Sequence, residues 1–331
     1  MPFRSGVVRA SAMTQLLIIK PSSLGDIIHG LQVAASLKAQ VPHLRISWIV
    51  RDIFAPIVRA CEAVDHVYVF QRMAGARGYL ALMAEVRKTS FDLVFDFQGL
   101  LRTGLMTWRT IADRKVGRTD ARECAGMFYS ERVPLPPAGE GAHALDILLQ
   151  FAPVLGAKPE LAGALRFRDA ERFNLSFLDG RRSAAPIVIF PDSRRPEKRW
   201  GGFKEFTDML LREDRSRYVV WAGNNYVPDK DAFPRDQFLN LTGNTSLLSL
   251  PALIARAGWV ISNDSGPMHL AAALGVRTLG IFGPTDPRRF GPYPLNAPNN
   301  HVIQAPVGAL SMLSAKEVFQ RFQRWDTPAR R

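Results

Sequence analysis

Cysteine is nearly missing: Cys61 and Cys124 are the only two in 331 residues. Two cannot make a disulfide framework, and they lack the CxxC spacing of a redox or metal site. Both read as small buried hydrophobes. Histidine is scarce as well, six residues with no HExxH spacing, so nothing announces a bound metal. No apolar run approaches the roughly 18–20 residues that a membrane span needs. The opening "MPFRSGVVRASAM" carries arginines, but the "LLII" behind it is too short for a signal-peptide core. The expectation is a cytoplasmic protein, with residues 1–12 a leader or the product of an upstream start before Met13. Negative charge is in deficit: 30 Asp and Glu face 43 Lys and Arg, a net charge of +13. Such a surplus suits nucleic acid, an anionic membrane surface or phosphate-rich substrates. No zinc finger, basic zipper or RNP-type motif is present, and the basic residues are dense only at "RRPEKR". Nucleic acid is therefore the weakest of the three partners.

What the chain does have is apolar residues, 47% of the total, and length enough for two domains. Short apolar strands alternate with helical patterns, the α/β signature. The first series is Gln15–Ile19, Arg45–Val50, Val67–Phe70, Leu93–Phe97 and a short strand at Lys115–Val116. A helix runs from about Ile27 to Val41, "LLRTGLMTWRTIA" is helical, "VPLPP" is a loop, and His143–Leu155 reads as one helix. A mixed polar passage, 156–185, separates this from a second series. Its strands are Ile187–Phe190, Tyr218–Ala222, Leu239–Leu241, Val260–Ser262 and Thr278–Phe282. Two Rossmann-like domains facing a cleft follow, with chemistry expected in the strand-to-helix loops. The amphipathic closing helix, Lys316–Trp325, is expected to pack back on the first domain.

Those loops are where polar residues gather. In "WVISNDSGPMHL" a strand ends at Ser262 and Pro267 opens a helix where its missing N–H costs nothing. The free amides around Ser265–Met268 make a phosphate site, with His269 a further donor. Asp264 either caps that helix or hydrogen-bonds sugar hydroxyls. "IVIFPDSRRPEKRWGGF" sets Arg194, Arg195, Lys198 and Arg199 beyond a strand, suited to a diphosphate leaving group or simply solvated. Thr242-Gly243-Asn244-Thr245 can line an adenine or ribose, or be a turn. Asp96, Gln98 and Gly99 end a strand, and "GRTDARECAGMFYSERV" adds guanidiniums and aromatics. That group fits an anionic sugar as well as it fits an ordinary helix. In "KPSSLGDIIH", Gly25 allows close approach, Ser22 and Ser23 offer hydroxyls, and Asp26 sits at a helix start. There Asp26 is either a cap or an ionised base for an attacking hydroxyl.

Taken together, "LLIIKPSSLGDIIH", "FDLVFDFQGLLRTG", "DARECAGMFYSERV", "HALDILLQFAPVLG", "EKRW", "LTGNTSL", "SNDSGPMHLAAALG" and "FGPTDP" resemble the ADP-heptose:lipopolysaccharide heptosyltransferases. These are family-nine glycosyltransferases of the GT-B fold. The "ARE…FY" and "HA" segments look most like the heptosyltransferase I branch, which adds the first heptose to Kdo of the lipid A core. The resemblance implies an acceptor domain over 13–165, a nucleotide-sugar domain over 183–312, and a closing helix and tail over 313–331. It implies an inverting, metal-independent transferase without a cofactor, working as a monomer on a membrane-anchored anionic glycolipid, in the cytoplasm and peripheral on the inner membrane's cytoplasmic face. By the same resemblance Asp26 is the general base. Ser193, Arg194 and Lys198 contact the donor diphosphate, and Asp264 holds the heptose. Ser265, Gly266 and His269 take the phosphates, Thr242 lies on the donor side, and Gln98 and Arg122 lie on the acceptor side with Ser22, Ser23 and Gly25. The chain departs from the family in carrying Asp192 in the phosphate loop. It departs again in offering only Asp229 or Asp231, out of register, for the ribose carboxylate. The alternatives are a transferase or epimerase for another nucleotide-sugar, and a non-catalytic protein binding nucleotide-sugar or polyanion.

Overall fold

A computed structural model describes residues 13–168, 185–228 and 233–326. The leader, the middle of the interdomain passage, Asp229, Asp231 and the last five residues lie outside the described residues. The first half runs β1 (Thr14–Ile19), α1 (Leu24–Gln40), β2 (Leu44–Arg51), α2 (Ala55–Ala60), β3 (His66–Phe70), α3 (Gly75–Val86), β4 (Phe91–Asp96), α4 (Leu101–Arg109), β5 (Ala112–Arg118), β6 (Glu131–Val133) and α5 (Ala144–Leu149). The second runs β7 (Ile187–Phe190), α6 (Phe203–Glu213), β8 (Val219–Gly223), β9 (Phe238–Thr242), α7 (Ser249–Ala255), β10 (Trp259–Asn263), α8 (Gly266–Ala273), β11 (Thr278–Phe282), α9 (Pro287–Phe290), β12 (Asn300–Gln304) and α10 (Ala315–Trp325).

Each half builds a six-stranded sheet, ordered β3-β2-β1-β4-β5-β6 and β12-β11-β10-β7-β8-β9. Counted within its own half, the second order is the first one reversed, so both sheets share the doubly wound Rossmann arrangement. All the strand pairs are parallel. Strands covered on both faces need near-continuous apolar runs, which is why Leu16-Leu17-Ile18-Ile19 forms β1. Leu16 and Ile18 join the core beneath α1, and Leu17 and Ile19 join the one beneath α3. Strand order reverses at β1/β4 and at β7/β10, and these two switch points hold the turns that carry Asp26, Gln98, Lys198 and Asp264.

Helix His143–Leu155 is shorter than expected: α5 stops at Leu149, and a separate 3-10 turn, Ala152–Leu155, follows with Pro153 in its first turn. Cys61 is buried as expected, and burial pushes its thiol up to about 11, but Cys124 is exposed. The closing helix requires a larger correction, because α10 packs on the second domain and not back on the first. Val318 and Phe322 are fully buried in the core shared with Phe206 of α6 and Trp259 of β10. Asp326 then fixes its end by accepting from Trp259 Nε1 at 2.7 Å and Arg217 Nη2 at 2.8 Å. The two halves meet instead through α1 and α8. Ile27 and Leu31 share one apolar cluster with Leu270 and Ala271. No helix among the described residues is long and apolar enough to cross a membrane.

Candidate active site

The turn after β1 is built on a buried lysine. Lys20 is 3% exposed; its carbonyl accepts from Trp48 Nε1 at 3.1 Å and its Nζ donates to the Phe97 carbonyl at 3.2 Å. Nζ also lies 3.5 Å from Asp26 Oδ1. Ser23 is the N-cap of α1 and Asp26 is its third residue. Asp26 Oδ2 accepts from the Ser23 amide at 3.0 Å and from its hydroxyl at 2.7 Å, the carboxylate half of a capping box. Burial raises the pKa of Asp26. Lys20, the two Ser23 hydrogen bonds and His29 outweigh it and hold the carboxyl well below the usual range. Burial in turn lowers the Lys20 ammonium, with Asp26 opposing. The Asp26 side chain is still 41% exposed, so an ionised carboxylate opens to the cleft over a buried cation.

Opposite stands the turn after β10. Here Ser265, not Asp264, is the helix N-cap, with its hydroxyl 3.0 Å from that of Ser262. Asp264 is 7% exposed and accepts from Lys198 Nζ at 2.5 Å and the Thr285 hydroxyl at 2.6 Å. Asn263 is fully buried and stitches the cationic loop to β10. Its Oδ1 accepts from the Trp200 amide at 2.9 Å and its Nδ2 donates to the Pro191 carbonyl at 3.0 Å. Asp192, out of place beside a diphosphate, is neutralised by Arg199 at 2.7 Å and bonded by Asn225 Nδ2 at 2.6 Å. Ser193 is buried, and its carbonyl accepts from Arg199 Nη2 at 3.0 Å. Arg194 is exposed.

The two turns touch through glycines. A Cβ on Gly25 would lie 2.6 Å from Cδ2 and 3.0 Å from Nε2 of His269, and one on Gly266 would lie 2.5 Å from Leu24 Cγ. Gly25 is thus required by the opposite domain's histidine. Gln98 follows β4 at the same switch point; its amide donates to Asp96 Oδ1 at 2.9 Å, and its Oε1 is buried without a partner. Asp96 itself is structural: fully buried, it accepts from Gly99 N at 3.0 Å and Tyr129 Oη at 2.8 Å. The exposed Arg122 is anchored by its amide to the Gly99 carbonyl at 2.9 Å. Thr242 stands apart from the cleft turns. Its hydroxyl is committed to Asn240 Oδ1 at 2.6 Å and the Val227 amide at 2.9 Å, bracing a loop. That loop lines a cavity of about 490 Å³ with Asp192, Arg199, Trp200, Trp221 and Tyr226, beside the cationic loop.

Sequence reasoning passed over Lys20 and Thr285. Both lay in quoted stretches, "KPSS" and "FGPTDP", but a lysine after a strand reads as solvated, and only the fold shows it buried.

An exposed carboxylate on one Rossmann half, facing a cation-bearing helix N-terminus on the other, defines a group-transfer cleft. Residues 79–319 match glycosyltransferase family 9 (heptosyltransferase), and the chain belongs to that family. It is a glycosyltransferase. The chain is 26% identical over 323 residues to lipopolysaccharide heptosyltransferase 1 of Escherichia coli K12, covering 93% of this chain and 98% of that one. It is 26% identical over 297 residues to lipopolysaccharide core heptosyltransferase OpsX of Haemophilus influenzae, covering 85% and 82%. Among solved structures it is similar to E. coli heptosyltransferase WaaC with ADP, with a TM-score of 0.77 and 26% identity over 94% of this chain and 99% of that one.

Proposed function

We propose that the protein transfers heptose from ADP-heptose to the Kdo-bearing lipid A inner core of lipopolysaccharide, with inversion and without a metal. The observation that carries this reading is the Asp26 carboxylate, held ionised over Lys20 and half open to the cleft, against the α8 turn. Similarity to WaaC, one of whose solved structures holds ADP-2-deoxy-2-fluoro heptose, supports the donor. In this reading residues 13–165 take the acceptor and 183–312 the donor.

The acceptor hydroxyl oxygen attacks the anomeric carbon from the face opposite ADP. The bond from that carbon to the phosphate oxygen breaks, its electron pair leaves with ADP, and the hydroxyl proton passes to Asp26. A carboxylate with so low a pKa is a weak base for a ground-state alcohol. It suffices when the proton moves late, since bond formation makes the attacking oxygen strongly acidic. The leaving diphosphate meets Ser265, Gly266 and the free amides of α8, with His269, Lys198, Ser193 and Arg194. Lys198 and Arg194 supply the positive charge a metal otherwise would, and the others supply hydrogen-bond donors. Asp264 orients the heptose while Lys198 bridges it to the phosphates. The nucleoside takes the cavity beside the cationic loop, whose wall Thr242 braces. Ser22, Ser23, Gly25, Gln98 and Arg122 form the acceptor side.

We place the enzyme in the cytoplasm, as a monomer bound at the anionic membrane surface. Met73, Leu80, Trp108 and Met127 are exposed on first-domain segments, as Val307 and Met312 are on the second, and Arg109 lies 5.9 Å from the Trp108 ring. Apolar tips among cations suit a headgroup interface. A mass-spectrometric transfer assay with a panel of nucleotide-sugars and Kdo-lipid A tests the reading. A heptose adduct formed from ADP-heptose is expected, and transfer only from another nucleotide-sugar would overturn it.

A further inference from the structure

Three of the six histidines stack at the domain interface, and nothing in the mechanism above uses two of them. His29 of α1, His143 at the N-cap of α5 and His269 of α8 are 3%, 5% and 7% exposed. Ring centroids are 5.3 Å apart for His29–His143, 4.5 Å for His29–His269 and 4.9 Å for His143–Tyr293. Three polar contacts within the stack cross between the domains. They are His29 Nε2 to His269 Nδ1 at 3.0 Å, His143 Nε2 to the Gly291 carbonyl at 3.1 Å, and Tyr293 Oη to Asp146 Oδ1 at 2.7 Å. The rings pack edge to face, and no group of His, Cys, Asp and Glu among the described residues is arranged to hold a metal ion.

We propose that His29 is a positioning residue for the transfer. It donates its Nε2–H to His269 Nδ1 and so keeps the proton of His269 on Nε2, the nitrogen that meets the leaving diphosphate. The inference rests on the donor reading given above.

The rings are neutral: burial holds all three below their ordinary value, His269 down to about 4. Each therefore carries a single proton, and its location matters. The tautomer of His143 is fixed by its neighbours. Nδ1 accepts the Leu145 amide at 3.1 Å, so the proton is on Nε2 and is given to Gly291. Between His29 and His269 one proton is shared, and two arrangements are possible. In both, Nδ1 of His269 is consumed, so only Nε2 remains for a ligand. That nitrogen edges against Gly25 at the start of α1, where a Cβ would come within 3.0 Å. If His269 donated to His29, Nε2 would turn a lone pair on the phosphate oxygens and repel them. If His29 donates, Nε2 presents N–H to an anion, a charge-assisted hydrogen bond. Lys20 and Asp26 on the first domain, and Asp264 and Lys198 on the second, are the charged groups acting on this pair.

The test is a long-range ¹H–¹⁵N correlation spectrum of the full chain near neutral pH, joined to ADP titrations by calorimetry. Wild type is expected to show His269 protonated on Nε2. His29→Gln places an amide N–H where the imidazole N–H was, and should keep that tautomer and an ADP affinity within about twofold of wild type. His29→Phe should lose the tautomer and weaken ADP binding about tenfold, the loss of one hydrogen bond to a charged group. His269 protonated on Nδ1 in wild type would overturn the proposal, and that spectrum needs no variant to fold. Equal loss of ADP affinity in both variants would also overturn it, leaving His29 a packing residue. The tautomer spectrum needs no nucleotide, so it decides the arrangement even where wild type fails to bind ADP, a result that would instead bring down the donor reading.

Discussion

The turn after β1 and the turn after β10 are the same device used twice. Each follows a central strand at a switch point, each starts a helix capped by serine, and each carries a glycine pressed by the other domain. They differ in what surrounds the carboxylate. Asp26 has its cation below it, 3.5 Å away and buried, leaving one side open. Asp264 has its cation in front, Lys198 at 2.5 Å, and Thr285 beside it, and its side chain is 6% exposed. An open carboxylate can receive a proton from a substrate. An enclosed one can only orient what Lys198 and Thr285 release to it. The same turn thus leaves one carboxylate open, as the proposed base must be, and encloses the other, as the proposed sugar holder.

The comparison breaks most sharply at Asp26. Asp26→Asn keeps an acceptor for the Ser23 cap but removes the proposed base, and turnover is expected to fall about 10²–10⁴-fold. ADP affinity should stay near wild type in calorimetry. Substantial turnover in this variant would make Asp26 a cap like any other. A non-catalytic binder would lose nothing by the change.

The two glycines come next. Gly25→Ala drives a methyl into the ring of His269, which is buried and hydrogen-bonded to His29 and cannot yield. Gly266→Ala meets Leu24, a flexible and only half-buried side chain. Activity is expected to drop about tenfold or more for Gly25→Ala and severalfold for Gly266→Ala, overpacking costing roughly 1–3 kcal/mol. Gly141→Ala, with nothing within 4 Å of the new methyl, is the neutral control. Equal losses at Gly25 and Gly266 would mean that the His269 ring moves freely.

Lys198→Ala tests the enclosed carboxylate. It removes the partner of Asp264 and the proposed contact to the diphosphate together, so KM for ADP-heptose should rise about tenfold or more, with a smaller fall in kcat. If neither changes, the cationic loop is surface.

How much of this could be read along the chain depends on the range of the interaction. The central strands declared themselves because a sheet covered on both faces forces apolar runs such as "LLII" and "IVIF". Of the four edge strands, β3 and β9 were legible and two were not: β6 is three residues, and β12, "NHVIQ", mixes polar side chains into a half-exposed strand. Asp26, Ser265 and His269 stood out because a helix start concentrates polar residues locally. Lys20 did not, because its burial is made by Trp48 and Phe97, far along the chain. For the same reason His29 had no role until its partner appeared 240 residues away. The face of α10 was legible, but its destination was not, since an apolar stripe names no partner.

The smallest effect expected is on stability, and its direction follows from the histidine stack. The folded pKa values of His29, His143 and His269 lie below the ordinary 6.5, that of His269 at about 4. The unfolded chain therefore takes up protons first as pH falls. The stack's contribution is complete above pH 6.5 and is lost progressively on acidification from there towards 4. Asp26, shifted the opposite way relative to its charge, keeps its contribution until pH falls below its ordinary 3.8, so it does not compete in this window. Thermal unfolding followed by circular dichroism should show Tm falling between pH 6.5 and 4.5. His143→Asn, which keeps an acceptor for the Leu145 amide and removes one titrating ring, should flatten the slope. An unchanged slope in that variant would exclude His143 from the acid sensitivity and leave it to the His29–His269 pair that bridges the two domains.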